Sequence, residues 1–189
     1  MTEPLSNVES ITKRRVLKEW RRDFQNLEGY DIKNITGGDI QFIKPTKIFR
    51  TARDPNNPRY GLEFSLLFKM GGPNAANEFI SSNYIGLPIE LNSVINTYLQ
   101  HNRLKVTIRL DVRPPYPFHP VRARLVGLQT DSIAVNSPVF NKLVKYFKNT
   151  LKKNSDICEW TPLWGIWHII LGIIADYSDI SKIQKIIEN

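Results

Sequence analysis

Apolar and polar positions follow two different periods along the chain, and these periods predict its helices and strands. In residues 11–27, apolar side chains recur every three or four positions, as on one face of a helix. Residues 60–70 and 104–113 alternate apolar with polar positions, which is typical of strands with one buried face. Further extended segments are predicted over residues 30–35, 39–53 and 121–128.

The second half of the chain is predicted to be mainly helical. Helical spacing recurs over residues 89–100, 138–153, 162–176 and 179–189. Thr161 and Pro162 suit the N-cap and first position of the apolar helix 162–176. The proline-rich stretch PPYPFHP has to end the strand before it, and we expect Tyr116 and Phe118 to pack this stretch onto the sheet.

This order of elements predicts an α+β fold with an N-terminal helix, a four-stranded antiparallel meander sheet and C-terminal helices. A length of 189 residues favours a single domain over residues 1–189, with residues 1–10 as an N-terminal extension. The N-terminus lacks the apolar core of a signal peptide. Residues 163–175 form an apolar run shorter than the ~20 residues that cross a bilayer. We therefore expect no membrane partner.

Cysteine and histidine are too sparse for most site chemistry. The single cysteine, Cys158, excludes an internal disulfide framework and favours a reducing intracellular compartment, in the cytoplasm, the nucleus or a virion. The three histidines lack the spacing of metal ligands, and Gly71–Gly72 is too short for a phosphate loop. We expect no metal and no cofactor.

Positive charge is the strongest compositional signal, with 26 basic and 18 acidic residues and a formal net charge of +8. Such a balance favours a nucleic acid, an anionic membrane or an acidic protein as partner, and charge alone does not choose among them. Two helical stripes are candidates. The first, predicted to bind a protein partner, is formed by Arg14, Arg15, Lys18 and Arg22. The second, a candidate for nucleic-acid phosphates, is formed by Lys142, Lys145, Lys148 and Lys152. For both stripes the alternative is a solvated helix face.

Four stretches, in order along the chain, together resemble the ubiquitin-conjugating enzyme family. They are the basic helix RRVLKEWRRDF, the strand FSLLFKMGGPNA followed by NYIG, the segment VTIRLDVRPPYPFHPVRARLVG, and WTPLWGIWHIILGI. The residues that carry the resemblance are Pro73, Tyr84, Gly86, Tyr116, Pro117, Phe118, Trp160 and Pro162. The resemblance implies that family's fold, with helical insertions near residues 77–103 and 138–153.

The family's chemistry is only partly represented. Its His-Pro-Asn triplet, which precedes the reactive cysteine and steadies the oxyanion, is absent from this sequence. Asp156 and Glu159 flank Cys158, and nearby negative charge disfavours a thiolate. We interpret the chain as similar to the family's catalytically inactive variants, acting as a protein-binding or assembly module without catalytic residues. The alternatives are a structural protein, such as a virion component, that contacts nucleic acid, and a divergent active enzyme that uses Cys158.

Overall fold

The structure, a computed structural model, describes residues 7–19, 21–22, 40–43, 48–51, 59–70, 103–130, 133–155, 161–163 and 165–188. These residues form four helices and five strands. The helices are α1 (Asn7–Glu19), α2 (Pro138–Ser155), α3 (Ile166–Tyr177) and α4 (Ile180–Glu188). The strands are β1 (Ile40–Ile43), β2 (Ile48–Thr51), β3 (Arg59–Lys69), β4 (Arg103–Val112) and β5 (Arg122–Thr130).

The five strands form one antiparallel sheet that is four strands wide, because β1 and β2 pair with the same strand. β3, β4 and β5 are neighbours in chain order, while β1 and β2 share the other side of β3. Ile40 of β1 faces Phe68, and Ile48 of β2 faces Leu62. In the sequence, Pro45, which has no backbone N–H, lies between β1 and β2. The predicted α+β arrangement of an N-terminal helix, an antiparallel sheet and C-terminal helices is confirmed.

Alternation along β3 and β4 gives the sheet a buried face and a polar face. From Leu62 to Phe68 in β3 and from Leu104 to Val112 in β4, every second side chain is buried. The helices pack on this side, where the Phe68 ring lies 5.8 Å from that of Phe147 in α2 and 6.3 Å from that of Tyr177 in α3. We call this side the core face and the opposite side the outer face.

Local sequence explains where α2 begins and which side it buries. The Ser137 hydroxyl accepts the N–H of Phe140 at 3.1 Å, and Pro138 occupies the first helical position. Leu143, Phe147 and Leu151, at helical spacing, form the buried stripe. The predicted helix 138–153 is therefore confirmed, whereas its status as an insertion into a known fold stays a prediction.

Two predictions near the sheet and α3 are wrong. α3 begins at Ile166 after Gly165, not at Pro162, and the Thr161 hydroxyl accepts the N–H of Leu163 at 3.4 Å in a preceding turn. Hydrogen bonds from a distant part of the chain determine where α3 begins. Phe118 does not pack on the sheet and is 70% exposed. In this turn it is Tyr116 that is buried, and Tyr116 makes the hydrogen bonds to Thr12 and Glu19.

Other boundaries also differ from those predicted, and several predictions fall outside the described residues. α1 begins at Asn7, so part of the predicted extension 1–10 is helical. The segments and residues that lie outside the described part of the chain are 30–35, 89–100, Pro73, Tyr84, Gly86, Cys158 and Trp160.

A buried tyrosine ties the C-terminus of α3 to α2. Tyr177 has no exposed surface, and its hydroxyl donates to the carbonyl oxygen of Phe147 at 2.9 Å. Burial raises the pKa of Tyr177, so the phenol keeps its proton and remains a donor.

We expect Tyr177→Phe to lower the free energy of unfolding by about 1 kcal/mol, because one buried hydrogen bond is lost while the ring packing is kept. Urea unfolding followed by circular dichroism measures this change. Tyr146→Phe is the matched control, since Tyr146 is half-buried and none of its hydrogen bonds within the described residues uses the hydroxyl. An effect at Tyr177 no larger than that of the control would contradict the assignment.

Candidate functional site

A cleft of ≈ 510 Å³ separates α1 from the chain that leads into α3. Its lining residues are Ile11, Arg14, Arg15, Lys18, Glu19, Arg22, Leu163, Gly165 and His168. All four residues predicted to bind a protein partner lie here, and the fold adds Leu163, Gly165 and His168 from a distant part of the sequence. We call this site the basic cleft.

Glu19 forms the floor of the basic cleft and joins three parts of the chain. It is only 5% exposed, and its two carboxylate oxygens accept three hydrogen bonds. Oε1 accepts from Arg15 Nε at 3.0 Å, and Oε2 accepts from the Tyr116 hydroxyl at 2.7 Å and the Ile166 N–H at 3.0 Å. The last bond places a negative charge at the positive N-terminus of α3, which stabilises both.

Arg15 supports the same junction and is held by several partners. Its Nη2 donates to the Pro162 carbonyl at 3.2 Å, and its guanidinium carbon lies 5.5 Å from the centre of the Tyr116 ring. With Nε bound to Glu19, this side chain is fixed between α1 and the turn before α3. Arg15 therefore shapes the cleft more than it offers charge to a partner.

The proline-rich turn is also attached to α1. The hydroxyl oxygen of Thr12, which is fully buried, accepts the backbone N–H of Tyr116 at 3.2 Å. Phe118 lies two residues further along the same turn and faces solvent. The turn thus presents an exposed aromatic side chain next to α1.

Exposed apolar and cationic side chains occur together around the basic cleft. Ile11 is 59% exposed and Leu163 is 87% exposed, although both are large apolar residues. Arg14 and Lys18 of α1, together with Arg22, are exposed and line the same cleft. A surface of this composition suits an acidic protein segment that also carries apolar groups.

Glu19 and His168, the acid and the histidine among the described lining residues of the basic cleft, both make hydrogen bonds at the N-terminus of α3. The Nδ1 atom of His168 accepts the Gly165 N–H at 3.1 Å, so this histidine helps to cap α3. Within the described ranges, no cluster of three or more His, Cys, Asp or Glu residues is placed to hold a metal ion. Of the four lysines predicted to contact nucleic acid, all are exposed on α2, and that contact stays a prediction.

Sequence reasoning missed Glu19, Thr12 and Leu163. No sequence pattern marked Glu19, because the predicted helix 11–27 places it in mid-helix. Only the structure places it in the last turn of α1, where the helix dipole disfavours negative charge and other donors are needed to stabilise it. No pattern marks Leu163 either, whose exposure depends on where α3 begins.

No helix in the described part of the chain has both the length and the apolar character to span a bilayer. Comparison with family models, curated proteins and solved structures finds no match to this chain.

We expect Glu19→Gln to lower the free energy of unfolding by about 3 kcal/mol, because an amide cannot accept from all three donors of the carboxylate. Urea unfolding tests this change. Glu188→Gln removes a carboxylate from an exposed position in α4 and should change stability by less than about 0.5 kcal/mol. Equal effects of the two substitutions would show that Glu19 does not hold the junction.

Proposed function

We propose that this protein is a ubiquitin-conjugating-enzyme-like domain without transferase activity, which binds a protein partner through the basic cleft. The observation that carries the proposal is the combination of exposed Ile11 and Leu163 with three exposed cations in one cleft. The partner is a component of the ubiquitin ligase pathway or of a protein assembly. The partner would present carboxylates to the cations and apolar side chains to Ile11 and Leu163.

The order of the elements supports the fold part of this proposal. A helix precedes an antiparallel meander, and two helices follow α2 at the end of the described chain. Tyr116 and Pro117, which belong to the resembling turn, are buried next to α1. Their burial gives the Tyr-Pro-Phe motif a structural reason, since it anchors the turn and leaves Phe118 at the surface.

The sequence around the thiol supports the absence of transfer activity. Acyl transfer to Cys158 needs a thiolate, and Asp156 and Glu159 are its charged neighbours in the chain. A donor for the oxyanion is also needed, and the His-Pro-Asn triplet that supplies it in the resembling family is absent.

Binding at the basic cleft would combine two effects. Apolar anchors buried at the centre of an interface supply most of its affinity, and Leu163 is the most exposed large apolar side chain of the described residues. Arg14, Lys18 and Arg22 would mainly steer an acidic partner and speed its association. Because Glu19 and Thr12 hold the walls in place, little ordering is required on binding.

We expect no thioester when the protein is incubated with activating enzyme, ubiquitin and ATP. A non-reducing gel detects such an adduct, and an active ubiquitin-conjugating enzyme is the positive control. An adduct that disappears with reductant and with Cys158→Ser would overturn the proposal and favour the alternative of a divergent active enzyme.

We expect at least one RING domain from a panel of ubiquitin ligases of the source organism to bind the full chain in isothermal titration calorimetry. Leu163→Asp and the double variant Arg14→Glu/Lys18→Glu should each weaken that binding by about tenfold or more. The control is Lys142→Glu/Lys145→Glu on α2, which makes the same charge change as the double variant away from the cleft.

Two results would count against this docking site. Equal losses with the α2 control would point to a general effect of net charge. Failure of every RING domain to bind would remove the ligase pathway from the proposal and favour the structural alternative, such as a virion component.

A further inference from the structure

The outer face of the sheet carries a second concentration of positive charge. Alternation and strand register place eight basic and two acidic residues on this face. The basic residues are Arg59, Lys69, Arg103, Lys105, Arg109, Arg113, Arg122 and Arg124. The acidic residues are Glu63 and Asp111. The core face of the same strands is apolar, so the two sides of the sheet have opposite character.

Both acids of the outer face are already engaged by arginines of the neighbouring strand. Arg109 Nε donates to Glu63 Oε1 at 2.6 Å, and Arg124 Nε lies 3.0 Å from Asp111 Oδ2. Cβ of an alanine at Gly61 would lie 3.4 Å from Cδ of Arg109, so the stem of this arginine packs directly over the strand. The acids thus orient two arginines and leave the face strongly cationic.

Three further arginines converge at the end of the sheet next to the proline-rich turn. Tyr60 faces Val112, which brings Arg59 opposite Arg113, and Asp111 faces Arg122 on the other side. Burial lowers the pKa of Arg113, and the charges of Arg59 and Arg122 lower it further, against the effect of Asp111. The Arg113 Nε atom is buried without a partner. The rigid strand ladder therefore holds like charges together, and an anion bound there would stabilise them.

We infer that the outer face of the sheet binds the phosphodiester backbone of a nucleic acid, with Arg113 and Arg122 at its most cationic end. The length of the charged surface favours this ligand over a single phosphate group. β4 has ten residues, which span roughly 30 Å at about 3.4 Å each, and cations occur from one end to the other. A polymer with regularly repeated charges matches such a surface.

Side-chain type also distinguishes the outer face from the lysine stripe on α2. Arginine binds phosphate with a planar set of donors, and strands held in a sheet lose little freedom when they bind. Lysines on the exposed side of α2 are compact, strongly hydrated point charges on flexible stems. Contacts from these cations are directed to phosphates, so we expect binding there to be independent of base sequence.

Fluorescence anisotropy with the full chain and a labelled mixed-sequence duplex of about 20 base pairs tests the inference between about 50 and 200 mM salt. We expect Lys105→Gln/Arg113→Gln/Arg122→Gln to weaken binding about tenfold or more at the lowest salt. The slope of log K against log salt should become shallower by about 2 to 3, as expected for three lost phosphate contacts.

The matched control is Lys142→Gln/Lys145→Gln/Lys148→Gln, which removes the same charge from α2 and should change affinity less than about threefold. Circular dichroism and urea unfolding check that each variant is folded. If the variant with Arg113→Gln does not fold, Lys69→Gln/Lys105→Gln/Arg122→Gln replaces it, because Lys69 and Arg122 are exposed.

Three results would overturn the inference. One is the absence of duplex binding at the lowest salt, and another is a larger loss from the α2 variant than from the outer-face variant. The third is binding to phosphatidylserine vesicles or to polyglutamate as tight as to the duplex, since these would identify a membrane or an acidic protein as the partner.

Discussion

The carboxylate of Glu19 is the point on which the arrangement of the N-terminal and C-terminal parts depends. A buried carboxylate is costly unless donors surround it, and here the donors come from α1, the proline-rich turn and the first residue of α3. Satisfying this one group brings together elements that are about 150 residues apart in the chain. The basic cleft follows from that junction, because α1 and the segment 161–163 form its walls only when they are held at this distance. Exposed Leu163 is a further consequence, since it lies in the turn that precedes the capped helix.

The two faces of the sheet differ in composition and in role. Every second residue of β3 and β4 enters the core beneath the helices, and the residues between them form a cationic outer face. The pairing of Ser65 with Thr107, at 3.0 Å between their hydroxyl oxygens, and of Glu63 with Arg109 continues the strand register on that side. Because one ladder supports both faces, the stability of the core also fixes the spacing of the charges on the outer face.

Three charged surfaces are the features of the described residues on which the proposed roles rest. Its cleft combines cations with apolar side chains, its outer face combines arginines with two paired acids, and α2 adds a stripe of lysines. These three surfaces belong to different elements, so substitutions in one leave the others intact and the roles proposed for them can be separated. The binding roles proposed for these surfaces rely on side chains that are held in place before a partner arrives.

Periodicity was sufficient to predict β3, β4, α2 and the general α+β order, because apolar residues at spacing 2 or 3.6 have only one way to reach a core. It also identified the cationic side of α1. The start of α3 was not predictable from Thr161 and Pro162, because Glu19 and His168 supply the actual cap from outside and inside the helix. Likewise, the cationic outer face required the strand register, which aligns charges from three separate strands. Local sequence determined which elements form and which sides they bury, since these depend on spacing along one segment. Only the tertiary structure decided which charges meet, because long-range hydrogen bonds and strand pairing set those distances.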